Sequence, residues 1–179
     1  MEPTGAGSVA GSFRSTYHHK VDGKGRVSIP ASYRRALELG DPDWRADGDT
    51  PPRVILVTGF DDGPCITCMT LDRMDALEAA AAASGDPEAL DIFEEDVVAA
   101  SDELKLDDNG RISLSPDLRR SLGITVEVVF VGKRDRFEVW QPGAHGAQRA
   151  AREANEATRA QRRATIRDIR VRSARKDAE

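Results

Sequence analysis

Two short alternations of apolar and polar residues recur along the chain, Val27-Ser28-Ile29 and Ile112-Ser113-Leu114. A period of two is that of a half-buried strand. An Asp-x-x-Gly stretch precedes each one, Asp22 to Gly25 and Asp107 to Gly110. The Asp side chain bonds backbone two residues on, and glycine takes a positive φ at no steric cost, so both stretches read as turns. Pro30 and Pro116 then stand where a short helix would begin, with Ser115 as a cap in the second case. Tyr33 with Leu37, and Leu118 with Leu122, fall four apart on one helical face. Both regions therefore read as strand, turn, strand and a helix of one or two turns.

Apolar runs at 54–58 and 66–69, joined by a turn, predict a second strand pair after the first helix. Runs at 126–131 and 137–140 predict the same after the second helix. Between the halves, 71–83 (apolar Leu71, Met74 and Leu77) and 87–100 (Leu90, Phe93, Val97 and Val98) predict helices, with Asp86 and Pro87 as start signals. A polar insertion at 41–52 interrupts the first half. Beyond Pro142 the chain is Arg-rich and helix-prone, and Ile166, Ile169 and Val171 are its large aliphatics.

The two patterned regions are copies of one another. Residues 20–37 and 105–122 align without a gap at an offset of 85, with eight identities in eighteen positions. The identical pairs are Lys20/Lys105, Asp22/Asp107, Gly25/Gly110, Arg26/Arg111, Ser28/Ser113, Arg34/Arg119, Arg35/Arg120 and Leu37/Leu122. Charged and glycine positions match as well as apolar ones, which shared composition does not explain.

Charge changes the picture through its distribution. The net charge of -5 argues against nucleic acid when taken globally. Yet 13–36 holds six Lys/Arg against Asp22 alone, whereas 84–109 holds ten Asp/Glu opposed only by Lys105. Salt screens charges beyond about 10 Å, so a phosphate backbone responds to the local basic patch. The acidic middle would turn the basic edge toward DNA. The plainer reading is that these runs are solvated faces.

The cations concentrate on the repeated motif. They are Lys20, Lys24, Arg26, Arg34 and Arg35 in the first copy, and Lys105, Arg111, Arg119 and Arg120 in the second. The planar fork of arginine suits phosphate oxygens and the guanine edge. An Arg at a glycine turn and an Arg-Arg pair on the next helix can reach one edge. Two such units would form matched basic edges, as pseudo-symmetric DNA readers do. Alternatively, Asp22–Arg26 and Asp107–Arg111 are salt bridges that stabilise the turns.

With its glycine turn, Lys20-Val-Asp-Gly-Lys-Gly-Arg-Val-Ser-Ile-Pro30 resembles the strand–turn–strand of AbrB-type swapped-hairpin proteins. The tandem arrangement, closed by Val131-Gly132 and Phe137-Glu-Val-Trp140, resembles the MraZ family from about Phe13 to Pro142. The resemblance implies an α+β, mainly β fold: a swapped-hairpin barrel made by the two repeats of one chain, with intervening helices and a helical tail. It implies DNA as a partner, ring-shaped homo-oligomers, and a cytoplasmic, nucleoid-associated regulator of repeated sites upstream of the division and cell-wall gene cluster. Carried over by position, the DNA-facing candidates are Lys24, Arg26, Arg34 and Arg35, then Arg111, Arg119 and Arg120; Lys20 joins them from the charge pattern. The second copy departs from the first. Asn109 replaces Lys24, Asp107 and Asp108 flank the turn, and its proline is shifted by one. The first copy is therefore expected to dominate DNA contact.

The expected organisation is a disordered tail over 1–12, repeats over 13–70 and 104–142, a helical linker over 71–103, and an Arg-rich tail over 143–179, helical or disordered. That tail either adds nonspecific DNA affinity or acts as a solubiliser. No enzymatic activity, cofactor, metal or small-molecule substrate is expected. Cys65-x-x-Cys68 is half a zinc spacing without a second half, and His18, His19 and His145 lack paired spacing. Gly23-Lys24-Gly25 lacks the remainder of a phosphate loop. No run of about 20 apolar residues suits a membrane span, and no apolar core of a signal peptide is present at 1–12. The rival functional reading is a protein-interaction module of antitoxin or scaffold type, working through the acidic middle.

Overall fold

The computed structural model describes residues 11–61, 63–154 and 156–176. Most of the expected tail over 1–12 lies outside these residues. In chain order the first copy contributes β1 (Thr16–Lys20), β2 (Arg26–Ser28), α1 (Ala31–Leu39), β3 (Arg53–Thr58) and β4 (Cys65–Met69). Next come α2 (Leu71–Ala82), α3 (Pro87–Phe93) and a π-helical turn (Glu94–Val98). The second copy supplies β5 (Ser101–Lys105), β6 (Arg111–Ser113), α4 (Pro116–Ser121), β7 (Glu127–Gly132) and β8 (Phe137–Trp140).

Local chemistry accounts for the helix starts. Thr70 accepts from the Arg73 amide (3.2 Å) ahead of α2. Asp86 accepts from the amides of Glu88 and Ala89, with Pro87 at the first helical position of α3. Ser115 caps α4 by accepting from the Leu118 amide at 3.2 Å. The helix expected over 87–100 ends earlier, because its last turn relaxes to π geometry before the chain enters β5 at Ser101. β5 also begins inside the expected linker. Asp102 and Glu103 are poor strand formers, but pairing with Leu56 and Ile55 of β3 overrides their propensity.

Six strands make one antiparallel sheet in the order β1-β7-β8-β4-β3-β5, and β2 with β6 makes a separate ribbon. The first strand of each copy pairs with the other copy: Tyr17 of β1 lies opposite Phe130 of β7, and Leu104 of β5 opposite Val54 of β3. The expected closed barrel is corrected here. Among the described residues no ladder joins the outer strands β1 and β5, so the sheet is open. The reason lies in the Asp turns. They divert the chain out of the sheet after β1 and β5 into two three-residue strands that satisfy each other's hydrogen bonds.

The main core lies between sheet and ribbon. Val27 and Ile112 from the ribbon, Tyr33 and Leu37 from α1, and Leu56, Ile66, Phe130, Phe137 and Val139 from the sheet are all buried in one cluster. Tyr33 is its hub: its ring meets Phe13, Tyr17 and Phe137 at centroid distances of 5.3, 5.4 and 4.9 Å, and its hydroxyl donates to the Ser15 carbonyl at 2.7 Å. A second cluster sets Ile55, Val57 and Met69 against Leu71 and Met74 of α2 and half-buried Val97. β4 is consequently buried at every position. The insertion is tied down by Arg53, whose guanidinium donates to buried Asp41 (2.6 and 3.0 Å) and to Asp43 (2.6 Å).

Residues 143–179 form a second compact unit. Its described part is helical, comprising α5 (Pro142–Ala154, starting at the junction) and α6 (Glu156–Lys176). Ile166 and Ile169 are exposed on α6. No helix among the described residues is long and apolar enough to cross a membrane.

Candidate nucleic-acid interface

The ribbon is the centre of the site. Its pairs are Arg26 opposite Ser113, Val27 opposite Ile112 and Ser28 opposite Arg111. Because side chains alternate, Val27 and Ile112 enter the core while Arg26, Ser28, Arg111 and Ser113 share the outer face. Two arginines thus stand diagonally across one small surface, with exposed Ser28 and Ser113 beside them. Neither serine is among the sequence candidates. The alternation that buries Val27 and Ile112 was the available signal.

Each arginine is oriented by the carboxylate four residues earlier. Asp22 accepts from the amides of Lys24 and Arg26 (both 2.9 Å) and, through Oδ2, from Arg26 Nε and Nη2 (both 2.8 Å). Asp107 repeats this with the amides of Asn109 and Arg111 (both 2.9 Å) and with Arg111 Nε (2.7 Å). The turn-stabilising salt bridges are therefore formed in both copies. Hydrogen bonds from the Arg26 amide and side chain hold the Asp22 carboxyl below its ordinary range. Burial would raise that of Asp107, but the Arg111 amide and guanidinium hold it low. With Nε fixed by the carboxylate, the guanidinium retains further donors at its outer end.

The remaining candidates fall into three groups. Lys24 is exposed in the first turn, and Lys20 is exposed on β1, opposite Glu127 in the sheet rather than on the ribbon. Arg35 and Arg120 are exposed on α1 and α4, each near an acid three residues away: Glu38 at 3.5 Å and Asp117 at 2.8 Å. Arg34 and Arg119 are half-buried. Arg34 donates to the Asn109 carbonyl at 3.3 Å, and Arg119 to the Leu114 carbonyl at 3.2 Å. His19, half-buried on β1, brings its Nδ1 to the Ser28 carbonyl and ties β1 to the ribbon.

Cys65 and Cys68 are buried in β4; burial pushes the Cys65 thiol up to about 12 and raises that of Cys68 well above its ordinary value. Among the described residues no cluster of three or more His, Cys, Asp or Glu is placed to hold a metal ion.

Comparison with known proteins decides the family. The family described as "MraZ protein, putative antitoxin-like" matches residues 12–62 and 97–167. The chain belongs to the MraZ family. A transcriptional regulator MraZ from Ruegeria sp. is 37% identical over 131 residues, covering 73% of this chain and 77% of the relative. Proteins of the same name from Ruegeria pomeroyi (34% over 139 residues; 76% and 81%) and Pelagibacter ubique (37% over 134 residues; 74% and 79%) are similar to it too. The MraZ match takes in both Asp-x-x-Gly-Arg turns. It also extends past Pro142, where the resemblance read from sequence had stopped, and leaves out 63–96, which carry β4, α2 and α3.

Proposed function

We propose that this MraZ-family chain is a DNA-binding transcriptional regulator whose reading surface is the outer face of the β2–β6 ribbon. The observation that carries this reading is the pair Arg26 and Arg111, displayed on one face and each oriented by its own Asp. A guanidinium held by a carboxylate is preset for a bidentate contact with a base edge. Lys20, Lys24, Arg35 and Arg120 supply phosphate attraction around it, and Arg34 and Arg119, the remaining candidates, act from beneath it by holding the turns. The relatives' shared name as transcriptional regulators supports DNA as the partner.

The finer reading follows the family resemblance. The protein acts as a ring-shaped homo-oligomer in the cytoplasm, associated with the nucleoid, at repeated sites upstream of the division and cell-wall gene cluster. The reciprocal pairing of β1 with β7 and β5 with β3 supports a swapped-hairpin arrangement inside one chain. The first copy dominates contact, since Lys24 in its turn is replaced by Asn109 between Asp108 and Gly110 in the second.

Arg26→Ala and Arg111→Ala, titrated against a duplex from upstream of the protein's own gene, test this. Arg26→Ala is expected to cost about 1–3 kcal/mol and to relax sequence preference, with a smaller loss for Arg111→Ala. Unchanged affinity and preference in Arg26→Ala would overturn it. The exposed acidic stretch with Ile92 and Val98 at its surface favours the rival reading of a protein-interaction module. Recovery of a stoichiometric protein partner, together with no DNA preference, would establish that reading instead.

A further inference from the structure

The two turns are each overlain by an arginine from the opposite copy. Gly25 of the first turn (φ 80°) lies so close to Arg119 of α4 that a methyl there would come within 2.7 Å of Nε and 2.9 Å of Cζ. Gly110 of the second turn (φ 69°) lies under Arg34 of α1, where a methyl would meet Cδ at 2.5 Å and overlap Nη1. Backbone bonds follow the same exchange: the Leu114 amide donates to the Gly25 carbonyl and the Ile29 amide to the Gly110 carbonyl, both at 2.9 Å. An arginine overlies the turn glycine at both of two positions 85 residues apart, so an accident of one side chain does not explain it.

We infer that Arg34 and Arg119 are positioning residues, a crossed clasp in which each copy's helix sets the reading turn of the other. Arg119 fixes the turn that presents Lys24 and Arg26; Arg34 fixes the turn that presents Arg111. Arg34 bonds the Asn109 carbonyl in the opposite turn, whereas Arg119 bonds the Leu114 carbonyl of its own copy, the residue whose amide holds Gly25; both direct donors inward, toward backbone. The clasp rests on the DNA-binding reading only for its consequence; its geometry stands apart from it. A planar guanidinium can lie on a glycine turn, whereas an ammonium is a compact hydrated point. Lysine is therefore a poor replacement here, although it would serve at a phosphate.

The test uses the full chain with Arg34→Lys and Arg119→Lys. Amide hydrogen exchange, read on peptides covering 22–26 and 107–111, needs no DNA. Arg119→Lys is expected to speed exchange at 22–26 and Arg34→Lys at 107–111, each in the opposite copy. Changes confined to the variant's own copy, or absent from both turns, would overturn the clasp. On the native upstream duplex, Arg119→Lys is expected to weaken binding roughly 2- to 30-fold and reduce discrimination against a scrambled duplex, with the slope of log affinity against log salt unchanged. The neutral Arg119→Gln completes the comparison. A slope shallower by about 0.9 in that variant, with full affinity kept by Arg119→Lys, would make Arg119 a phosphate ligand and overturn the inference. If the wild type does not distinguish the two duplexes, the regulator reading fails, and the exchange pattern still decides the clasp.

Discussion

Arg119 of the second copy lies over Gly25 of the first, with its Nε 2.7 Å from where a Cβ would stand. The relation requires two things of residue 25: a left-handed backbone and no side chain. Gly25→Ala therefore faces strain of about 1–2 kcal/mol from its φ alone, and the collision with Arg119 and the Leu114 carbonyl adds to it. Gly110→Ala meets the same pair of penalties through Arg34. Gly23 has no positive φ and no atom within 4 Å of its notional Cβ, so Gly23→Ala should stay within about 0.5 kcal/mol of wild type. Urea unfolding of the three variants checks the order; equal stability for all three would contradict it.

Leu37 is fully buried between α1 and the sheet. Leu37→Ala should cost about 2–5 kcal/mol, from lost burial and the cavity left behind. A midpoint shift in urea with the slope unchanged is the expected signature.

Asp61 is linked to pH. Burial alone would raise its carboxyl, but hydrogen bonds from Arg136 (2.9 and 3.0 Å) and Thr67 (3.0 Å) and the Arg136 charge hold it below the ordinary range. A carboxyl lowered in the folded state contributes stability above its unfolded pKa, near 3.8, and that contribution is lost as pH falls through the lowered value. Asp61→Asn should thus be less stable at pH 7 by about 1–3 kcal/mol, and the gap should narrow on acidification. A gap that persists unchanged well below that pKa would refute the linkage.

Cys65 and Cys68 should be inert in the folded protein. Cys65 is held up to about 12, and Cys68 is fully buried, so thiolate is scarce and access is closed at neutral pH. A chromogenic disulfide reagent should react only on unfolding; rapid reaction of either thiol in buffer would contradict the packing.

What the sequence made legible was local. Asp22-x-x-Gly25-Arg26 and its copy named their turns, because a carboxylate bonding amides two and four residues on is written in the spacing. Tyr33 and Leu37 named the buried face of α1 in the same way. Pairing partners were not legible, since no periodicity says that β1 will lie against β7 across more than a hundred residues. The expected closure into a barrel failed because both Asp turns carry the chain out of the sheet into the ribbon. The Arg34–Arg35 and Arg119–Arg120 pairs show the same limit. Sequence treats the neighbours alike, yet a helix sends them in different directions, so Arg35 and Arg120 face solvent while Arg34 and Arg119 turn inward. Buried Asp41, held by Arg53 twelve residues on, lay inside what reads as a polar loop.

The most direct test of the central claim is fluorescence anisotropy of a labelled duplex from upstream of the protein's own gene, against a scrambled duplex, at low and near-physiological salt. Specific readout by the ribbon predicts a preference for the native duplex that survives as salt rises. Equal binding of both duplexes that vanishes with salt would reduce the interaction to phosphate attraction and contradict the assignment of Arg26 and Arg111 as readers of sequence.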